Sequence, residues 1–386
     1  MGELICTPSL PDLKDWDAYQ AAERTMAPNL SHDHIAQRYK GRKFIVIRFS
    51  LLSGNQHMSL KDKIIGQLGF GAAPLGNMFR AITEHEAAST VQAAWDSGIR
   101  FFDTAPAYGA GLSESRLGDA LAGRQRDQYT LATKVGRMIS DELEVSRSSG
   151  PFSHGPANRM LSDYSADATL RSIENSLERL RTDRLDIVWV HDLAQDMHGD
   201  AWLEHFNIAR TGAFRVLTRL REEGVIKAWG LGVNRVEPCE LTLDLTEAHP
   251  DGFLLAGRYT LLDHTQPLQR LFDKAREHNA EIVVGGPYSS GALVGGKHFE
   301  YQPASAQILH KVLQIQALAD AHNVSIKAAA LQFVLANPQV AAVIPGASRP
   351  ERIAEDNAAL DVPIAPAFWH AMKVQGLIAA TAPVPT

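Results

Sequence analysis

The sequence has little cysteine, no excess of positive charge and no long apolar run. Its 386 residues include two cysteines, Cys6 and Cys239, which lie far apart and lack the spacing of metal ligands. This argues against a disulfide-stapled secreted scaffold and against a structural zinc site, so we expect no metal. The 38 Lys and Arg residues are outnumbered by 44 Asp and Glu residues and form no basic stripe, so we expect no nucleic-acid partner.

Segments that enter membranes are also lacking. The longest apolar run near the start, from Phe44 to Leu52, is interrupted by Arg48 and Ser50 and is too short to cross a bilayer. The first residues lack the basic and apolar regions of a signal peptide. These features predict a cytoplasmic protein without a membrane partner.

The rest of the composition is that of a folded globular protein, with 45% apolar and 21% charged residues. A regular pattern of apolar runs begins only near residue 64. The sequence therefore predicts an N-terminal extension over residues 1–60 and a barrel domain over residues 61–386.

From that point short apolar runs alternate with amphipathic helical stretches, which is typical of repeated βα units. The predicted strands are Gln67–Ala72, Arg100–Asp103, Tyr129–Thr133, Leu185–Val190, Ile226–Val233, Gly252–Leu255, Glu281–Val284 and Val340–Ile344. Eight such units most simply close into a (β/α)8 barrel, the TIM-barrel architecture of the α/β class, and a doubly wound open sheet is the second choice.

Two of the helices between these strands have explicit signals. Thr83 and Glu86 have the spacing of a capping box, and Gly98 marks the end of the helix that follows. Further along, Leu170, Ile173, Leu177 and Leu180 form an apolar stripe that we expect to pack on the barrel, with the charged residues between them, including Arg179, facing outward.

Three segments are longer than ordinary loops: Met138–Asp163, His191–Ile208 and Gly285–Pro303. Each follows a predicted strand, so each belongs to the face where barrel enzymes bind their substrates. We expect these long catalytic-face loops to act as lids.

Four ionisable side chains follow consecutive strands at their carboxyl ends: Asp103, Tyr108, Lys134 and His191. A phenol is a poor proton donor at neutral pH, but a nearby ammonium group lowers its pKa, and we expect Lys134 to do this for Tyr108. Asp103 would pair with the buried lysine, and His191 would orient a substrate oxygen. Because none of these groups is a redox centre, the site needs a hydride donor such as a nicotinamide.

The motifs around these residues resemble those of the aldo-keto reductase superfamily over roughly residues 64–362. The motifs are Asp103–Gly109, Ser113–Gly118, Ala132–Lys134, Val190–Asp192, Gly230–Asn234 and Ile344–Ser348. The resemblance implies a (β/α)8 barrel that binds a nicotinamide cofactor without a Rossmann fold. It also implies that the tetrad of the family corresponds to Asp103, Tyr108, Lys134 and His191. The activity it implies is reversible hydride transfer between the nicotinamide and a small-molecule carbonyl or alcohol, namely an aldehyde, a ketone or a sugar lactol.

The resemblance also assigns cofactor positions. Asn234 corresponds to the residue that binds the nicotinamide carboxamide, and Pro287, Ser289 and Gly291 lie in the stretch that covers the pyrophosphate. The start of the helix after the last strand corresponds to the adenosine-phosphate site, with Gly346, Ser348, Arg349 and Arg352 as its residues. The two arginines slightly favour NADP(H) over NAD(H).

The chain departs from many relatives at two cofactor positions, where it has Ala256 and Gly285. The segments Gly71–Asn77 and Ala256–Leu262 are similar to the branch of pyridoxal and aldose dehydrogenases. Phe79, Trp202 and Tyr288 lie in predicted catalytic-face loops and are candidate walls of the substrate pocket.

Two other functions remain open on the sequence. The barrel could reduce a ketone on a larger natural product or xenobiotic, or it could bind the cofactor as a regulatory subunit without turnover. A metal-dependent hydrolase would need ligands at strand ends, and the sequence offers none there. The oligomeric state is not predicted.

Overall fold

The computed structural model describes residues 58–144 and 150–386, and its central feature is a sheet of eight parallel strands. Most of the predicted N-terminal extension therefore lies outside the described residues. In chain order the strands are β1 (Phe70–Gly71), β2 (Phe101–Asp103), β3 (Thr130–Val135), β4 (Arg137–Leu143), β5 (Asn158–Ser162), β6 (Ile187–His191), β7 (Ala228–Val233), β8 (Gly252–Ala256), β9 (Glu281–Gly285), β10 (His298–Phe299), β11 (Gln302–Pro303) and β12 (Val340–Ile344). The large sheet has the order β1-β2-β3-β6-β7-β8-β9-β12, while β4 pairs with β5 and β10 with β11 in antiparallel hairpins.

The two ends of the large sheet meet, so the sheet closes into a barrel. Leu68 and Gly71 form parallel bridges to Val343 and Gly346. The amide of Gly69 donates to the Val343 carbonyl at 2.9 Å. The predicted (β/α)8 barrel is thereby confirmed, and the doubly wound alternative is wrong because it would leave both sheet edges open.

Helices of at least one turn surround the barrel. They are α1 (Leu60–Lys63), α2 (Glu84–Asp96), α3 (Leu112–Leu121), α4 (Ala166–Leu180), α5 (Gln195–His198), α6 (Trp202–Thr211), α7 (Ala213–Glu222), α8 (Glu237–Leu243), α9 (Phe272–Glu277), α10 (Ala306–Ala321), α11 (Ile326–Leu335), α12 (Pro350–Leu360) and α13 (Pro366–Val374). Among the described residues, no helix combines the length and the apolar character needed to cross a membrane.

Helices α2 and α4 test the two explicit helix predictions. The Thr83 hydroxyl accepts from the Glu86 amide and the Glu86 carboxylate accepts from the Thr83 amide, as the capping box predicts. In α4, Ile173 and Leu180 are buried as expected. Arg179 does not face solvent: its Nε donates to the fully buried Glu114 at 2.6 Å, because that carboxylate on α3 needs a charged partner.

The lumen of the barrel holds its own apolar cluster, separate from the layer between strands and helices. It contains Leu60, Ile64, Phe101, Ala132, Ile187, Trp189, Ala228, Leu254, Val283, Ala341, Ala342 and Ile344. Leu60 comes from α1, so this short helix closes the amino-terminal end of the barrel.

Two buried carboxylates also stabilise that end. Asp186, just before β6, accepts from the Leu131 amide at 2.8 Å and pairs with Arg126 and Lys227. Asp251, just before β8, accepts from the Trp229 amide at 3.0 Å and pairs with Lys63 and Arg221. Each carboxylate thus fastens a neighbouring strand while its charge is matched by two cations.

Strand β7 contains glycines where the lumen is most crowded. Gly230 lies beside Trp189 in the register, and a Cβ atom on Gly230 would come within 1.7 Å of the Gly252 carbonyl oxygen. A Cβ on Gly232 would meet Trp189 at 3.2 Å and the Lys134 side chain at 3.5 Å. Gly230 therefore permits the close approach of the β8 backbone, and Gly232 lies against the Trp189 side chain.

The three long segments contain more regular structure than the sequence indicated. Met138–Asp163 includes most of the β4–β5 hairpin, His191–Ile208 includes α5 and the start of α6, and Gly285–Pro303 includes the β10–β11 hairpin. Their short strands lack the apolar alternation of a half-buried sheet, because neither hairpin has a buried face.

Substituting Gly230 should destabilise the barrel. We expect Gly230→Ala to lower the free energy of unfolding by about 1–3 kcal/mol or more, because the added methyl group has to displace backbone. Denaturant unfolding would measure the loss. Gly285→Ala, in β9, is the matched control, since its Cβ would make only ordinary contacts of 3.4 Å and longer. Equal stability of the two variants would contradict this account of β7.

Candidate active site

The site is built around a buried ion pair at the carboxyl ends of β2 and β3. The Lys134 Nζ donates to Asp103 Oδ1 at 2.5 Å and to the Thr104 carbonyl at 2.8 Å. Both side chains are almost completely buried, with about 1% exposure of each residue. Trp189 on β6 donates its Nε1 proton to the other oxygen of Asp103 at 3.1 Å. Burial raises the pKa of Asp103, and the Lys134 charge and the two hydrogen bonds oppose that effect.

Tyr108 lies on the loop that follows β2. The Lys134 Nζ is 4.9 Å from the centroid of its ring, and the His191 ring meets it edge to face at 5.7 Å. Phe152, from the connection between β4 and β5, stacks on the ring at 5.6 Å. The phenol is therefore held between the Lys134–Asp103 pair, an imidazole and an aromatic ring contributed by a long catalytic-face segment.

The pKa of Tyr108 differs from the expected direction. Burial, and then the negative charges of Asp103 and Asp192, raise it well above its ordinary value. Arg137 is the cation that lowers it. Burial is the largest effect and it opposes the expected acidification of the phenol by Lys134, as do the two carboxylate charges.

His191, at the end of β6, is neutral in the folded protein. Burial lowers its pKa to about 3, although the charge of Asp192 opposes the shift. The Tyr164 hydroxyl donates to the His191 carbonyl at 2.8 Å, which fixes the backbone of this residue. The buried Nδ1 has no hydrogen-bond partner among the described residues, so the ring keeps unused capacity for a ligand.

The polar residues of the motif Ser113–Gly118 have a supporting role at the start of α3. The Ser113 hydroxyl donates to the Ala72 carbonyl at 2.6 Å. The buried Arg116 donates to Glu84 and to the carbonyls of Leu75 and Ile82. These bonds fasten the segment after β1 against the loop that carries Tyr108.

At the predicted nicotinamide position, Asn234 is half-buried at the end of β7. Its Nδ2 donates to Asp196 at 3.3 Å, and its carbonyl accepts from the Arg258 Nε at 2.7 Å. Arg258 is buried and also pairs with Asp263 and Glu300. The role of Arg258 is not visible in the sequence, because its carboxylate partners come from two separate loops. Ala256 and Gly285 are register partners on β8 and β9, so these two small residues lie side by side.

The predicted pyrophosphate positions form a compact turn after β9. Pro287 and Ser289 are buried, and the Ser289 hydroxyl is 2.9 Å from that of Thr260. Gly291 is half-buried with a φ of +94° and accepts from the Gly296 amide. The turn is internally bonded, and its backbone lies at the carboxyl end of the barrel.

The predicted phosphate position lies at the start of α12. Gly346 and Arg349 are exposed, and the Ser348 hydroxyl accepts from Arg80 at 3.3 Å. Arg352 is also exposed, and neither it nor Arg349 has an ion-pair partner within the described part of the chain. Two guanidinium groups without a salt-bridge partner fit the phosphate end of a dinucleotide. We find no cluster of three or more metal-ligating side chains in residues 58–144 and 150–386.

The three predicted pocket residues have different neighbours. Phe79 stacks on His298 at 4.7 Å and is partly exposed, and Trp202 packs against Phe206 on α6. Tyr288 is buried and donates its hydroxyl to Asp356 of α12 at 2.7 Å. That carboxylate also pairs with Lys327, so Tyr288 joins the turn after β9 to α12.

Comparison with known proteins places the chain among the aldo-keto reductases. A sequence model of the aldo/keto reductase family matches residues 67–374. Pyridoxal 4-dehydrogenase from Microbacterium luteolum is 36% identical over 325 residues, which cover 81% of this chain and 94% of the relative. D-threo-aldose 1-dehydrogenase from a Pseudomonas species is 36% identical over 311 residues, which cover 78% of this chain and 91% of the relative. A holo-form aldo-keto reductase from Bacillus halodurans has a TM-score of 0.61 and 26% identity, covering 82% of this chain and 93% of its own.

The neutral state of His191 makes stability depend on pH. The unfolded chain takes up a proton near the ordinary pKa of 6.5, whereas the folded chain does so only near pH 3, so stability falls as the pH drops through this window. Between pH 7.5 and pH 5 the free energy of unfolding should fall, and we expect His191→Gln to make this fall smaller by about 2 kcal/mol. Denaturant unfolding at the two pH values would measure it. The exposed His310→Gln is the control, and an unchanged pH dependence in His191→Gln would contradict the burial argument.

Proposed function

Because the chain belongs to the aldo/keto reductase family and is an NAD(P)-dependent oxidoreductase, we propose that it acts on a cyclic hemiacetal, oxidising it reversibly to a lactone. The single observation that carries the chemistry is the buried Lys134–Asp103 pair beside Tyr108 and His191.

The names of two relatives support this substrate class. An aldose closes to a ring hemiacetal at C1, and pyridoxal has a hydroxymethyl group beside its aldehyde that can close in the same way. Both names therefore refer to a carbonyl carbon with a hydroxyl group within reach. A substrate of this kind has a hydrogen atom and a hydroxyl group on the same carbon.

We assign one role to each residue of the tetrad. A bound nicotinamide would supply the acceptor for the hydride that leaves the hemiacetal carbon. In its phenolate form Tyr108 takes the hydroxyl proton as the carbonyl forms, and in the reverse direction the phenol returns that proton. The neutral His191 donates an N–H bond to the substrate oxygen, and Lys134, fixed by Asp103, places positive charge beside the phenol.

We further propose NADP(H) as the preferred cofactor. Asn234, Pro287, Ser289, Gly291, Gly346 and Ser348 would hold its nicotinamide, pyrophosphate and adenosine parts. Arg349 and Arg352 are exposed and have no carboxylate partner in the described chain, which supports recognition of an additional phosphate.

Removal of the phenol hydroxyl should abolish turnover without abolishing cofactor binding. We expect Tyr108→Phe to lower kcat for aldose or pyridoxal oxidation by at least about 100-fold, because it removes the proton-transfer group. Nicotinamide absorbance would measure turnover, and protein fluorescence would measure cofactor binding. Tyr129→Phe, at the amino-terminal end of β3, is the matched control.

The same assay distinguishes the other functions. Cyclic hemiacetals should be at least about tenfold better substrates than open-chain alcohols without a neighbouring hydroxyl group, and mass spectrometry should find the product two hydrogens lighter. Activity confined to bulky ketones would favour a natural-product reductase. Cofactor binding without turnover on any substrate would favour a regulatory subunit.

Loss of the two arginines should change the cofactor preference. We expect Arg349→Met with Arg352→Met to raise KM for NADPH by at least about tenfold and to leave KM for NADH nearly unchanged, since only NADPH has the extra phosphate. Steady-state kinetics with each cofactor would measure this, with the exposed Arg171→Met of α4 as the control. A parallel rise for both cofactors would contradict the phosphate assignment.

A further inference from the structure

A second ion pair lies beside the tetrad, between residues that the proposed reaction has not used. Arg137 donates its guanidinium to Asp192 Oδ2 at 2.7 Å. Arg137 begins β4, three residues after Lys134, and Asp192 directly follows His191. Each partner is thus a near neighbour in sequence of a tetrad residue, although the two are 55 positions apart.

An unusual backbone conformation occurs next to Arg137, at Gly136, and at Asp192 itself. Gly136, between Lys134 and Arg137, has a φ of +94°, and a Cβ there would meet the Tyr164 ring at 2.3 Å. Asp192 has a φ of +53°, which is uncommon for a residue with a side chain, and its amide donates to the Gly232 carbonyl at 2.9 Å. The turn at each strand end directs the chain so that the two charges meet.

This pair is largely buried and is poorly suited to a purely stabilising role. The side chains of Arg137 and Asp192 are only 20% and 14% exposed, so both charges lose hydration. Buried ion pairs of this kind often contribute little to stability. The Arg137 Nε has no hydrogen-bond partner in the described part of the chain, so the pair is not optimised even for its own hydrogen bonds.

Its position relative to the tetrad is specific. Asp192 Oδ1 lies 3.5 Å from His191 Nε2, so the carboxylate that Arg137 holds also faces the imidazole. The charges of Asp192 and Arg137 both act on Tyr108, with opposite signs.

We propose that Arg137 and Asp192 are positioning residues of the reaction: Arg137 fixes the Asp192 carboxylate beside the His191 ring, which meets the Tyr108 ring edge to face, and the two opposite charges act together on the proton transfer by Tyr108. The inference rests on the proposed role of Tyr108 as the proton-transfer group. It extends that role, because the four tetrad residues alone do not then determine the working pH.

Removing either of two opposite charges has opposite effects, which distinguishes an electrostatic role from simple structural damage. The groups acting on Tyr108 are Asp103 on β2, Lys134 on β3, His191 and Asp192 at the end of β6, Arg137 on β4, and Tyr301 after β10. Of these, Asp192 raises the pKa of Tyr108 and Arg137 lowers it. Removing each charge alone must therefore shift that pKa in opposite directions.

The test is the pH dependence of kcat/KM for lactol oxidation, which rises as Tyr108 loses its proton. We expect Arg137→Met to displace the rising limb by about one unit to higher pH, and Asp192→Asn to displace it by about one unit to lower pH. The double variant should return close to the original profile, because both charges are removed together. At a fixed pH on the limb, each single displacement is about a tenfold change in rate.

Arg159→Met is the matched control, since Arg159 lies on β5 of the same hairpin and forms an exposed ion pair with Glu142. Its profile should not move. Displacements of the two single variants in the same direction, or a double variant displaced further than either, would overturn the inference. If Arg137→Met does not fold, the Asp192→Asn displacement and its cancellation in the double variant still decide it. Full activity of Tyr108→Phe would instead overturn the proposed function itself.

Discussion

The hydrogen bond between Lys134 Nζ and Asp103 Oδ1 is the interaction on which the site depends. Burying two opposite charges is costly unless both are well bonded, so the surroundings have to supply further partners. Trp189 supplies an N–H bond to Asp103, and the Thr104 carbonyl takes a second bond from Lys134. Gly232 of β7 lies beside the same residues, because a Cβ there would come within 3.2 Å of Trp189 and 3.5 Å of Lys134.

The charges of the site come from the strands, whereas its cover comes from the loops. Phe152 from the β4–β5 connection stacks on Tyr108. Tyr301, at the β10–β11 turn, lies within the electrostatic reach of Tyr108, and the neighbouring Glu300 pairs with the buried Arg258. Since Arg258 also bonds the Asn234 carbonyl, the β10–β11 hairpin, the predicted nicotinamide position and the catalytic face form one hydrogen-bonded unit. The proton affinity of Tyr108 therefore depends on loop packing as well as on the strand ends.

The sequence predicts the barrel and the tetrad because both follow from local patterns. Eight apolar runs indicate eight strands, and polar residues at the ends of parallel strands must converge. Arg137, Arg258 and Glu114 could not be recognised in the same way, since each is defined by a partner 42 to 65 residues away. The bond from Tyr288 to Asp356 could not be predicted for the same reason: the loop position of Tyr288 is visible in the sequence, but its partner on α12 is not. The direction of the Tyr108 pKa shift also depends on distances and burial, which residue types do not specify.

The two ends of the barrel use buried carboxylates differently, and the difference explains why function is confined to one end. Asp186 and Asp251 at the amino-terminal end each bond a backbone amide and two cations, so their charges are fixed and they have little capacity for a ligand. Asp103 and Asp192 at the carboxyl end each have one close cation, and one oxygen of Asp192 faces an imidazole at 3.5 Å. A carboxylate with a single close cation is less fully neutralised, so its negative charge affects the neighbouring phenol and imidazole. The same residue type therefore fastens strands at one end and adjusts proton affinity at the other, according to how many cations the fold places beside it.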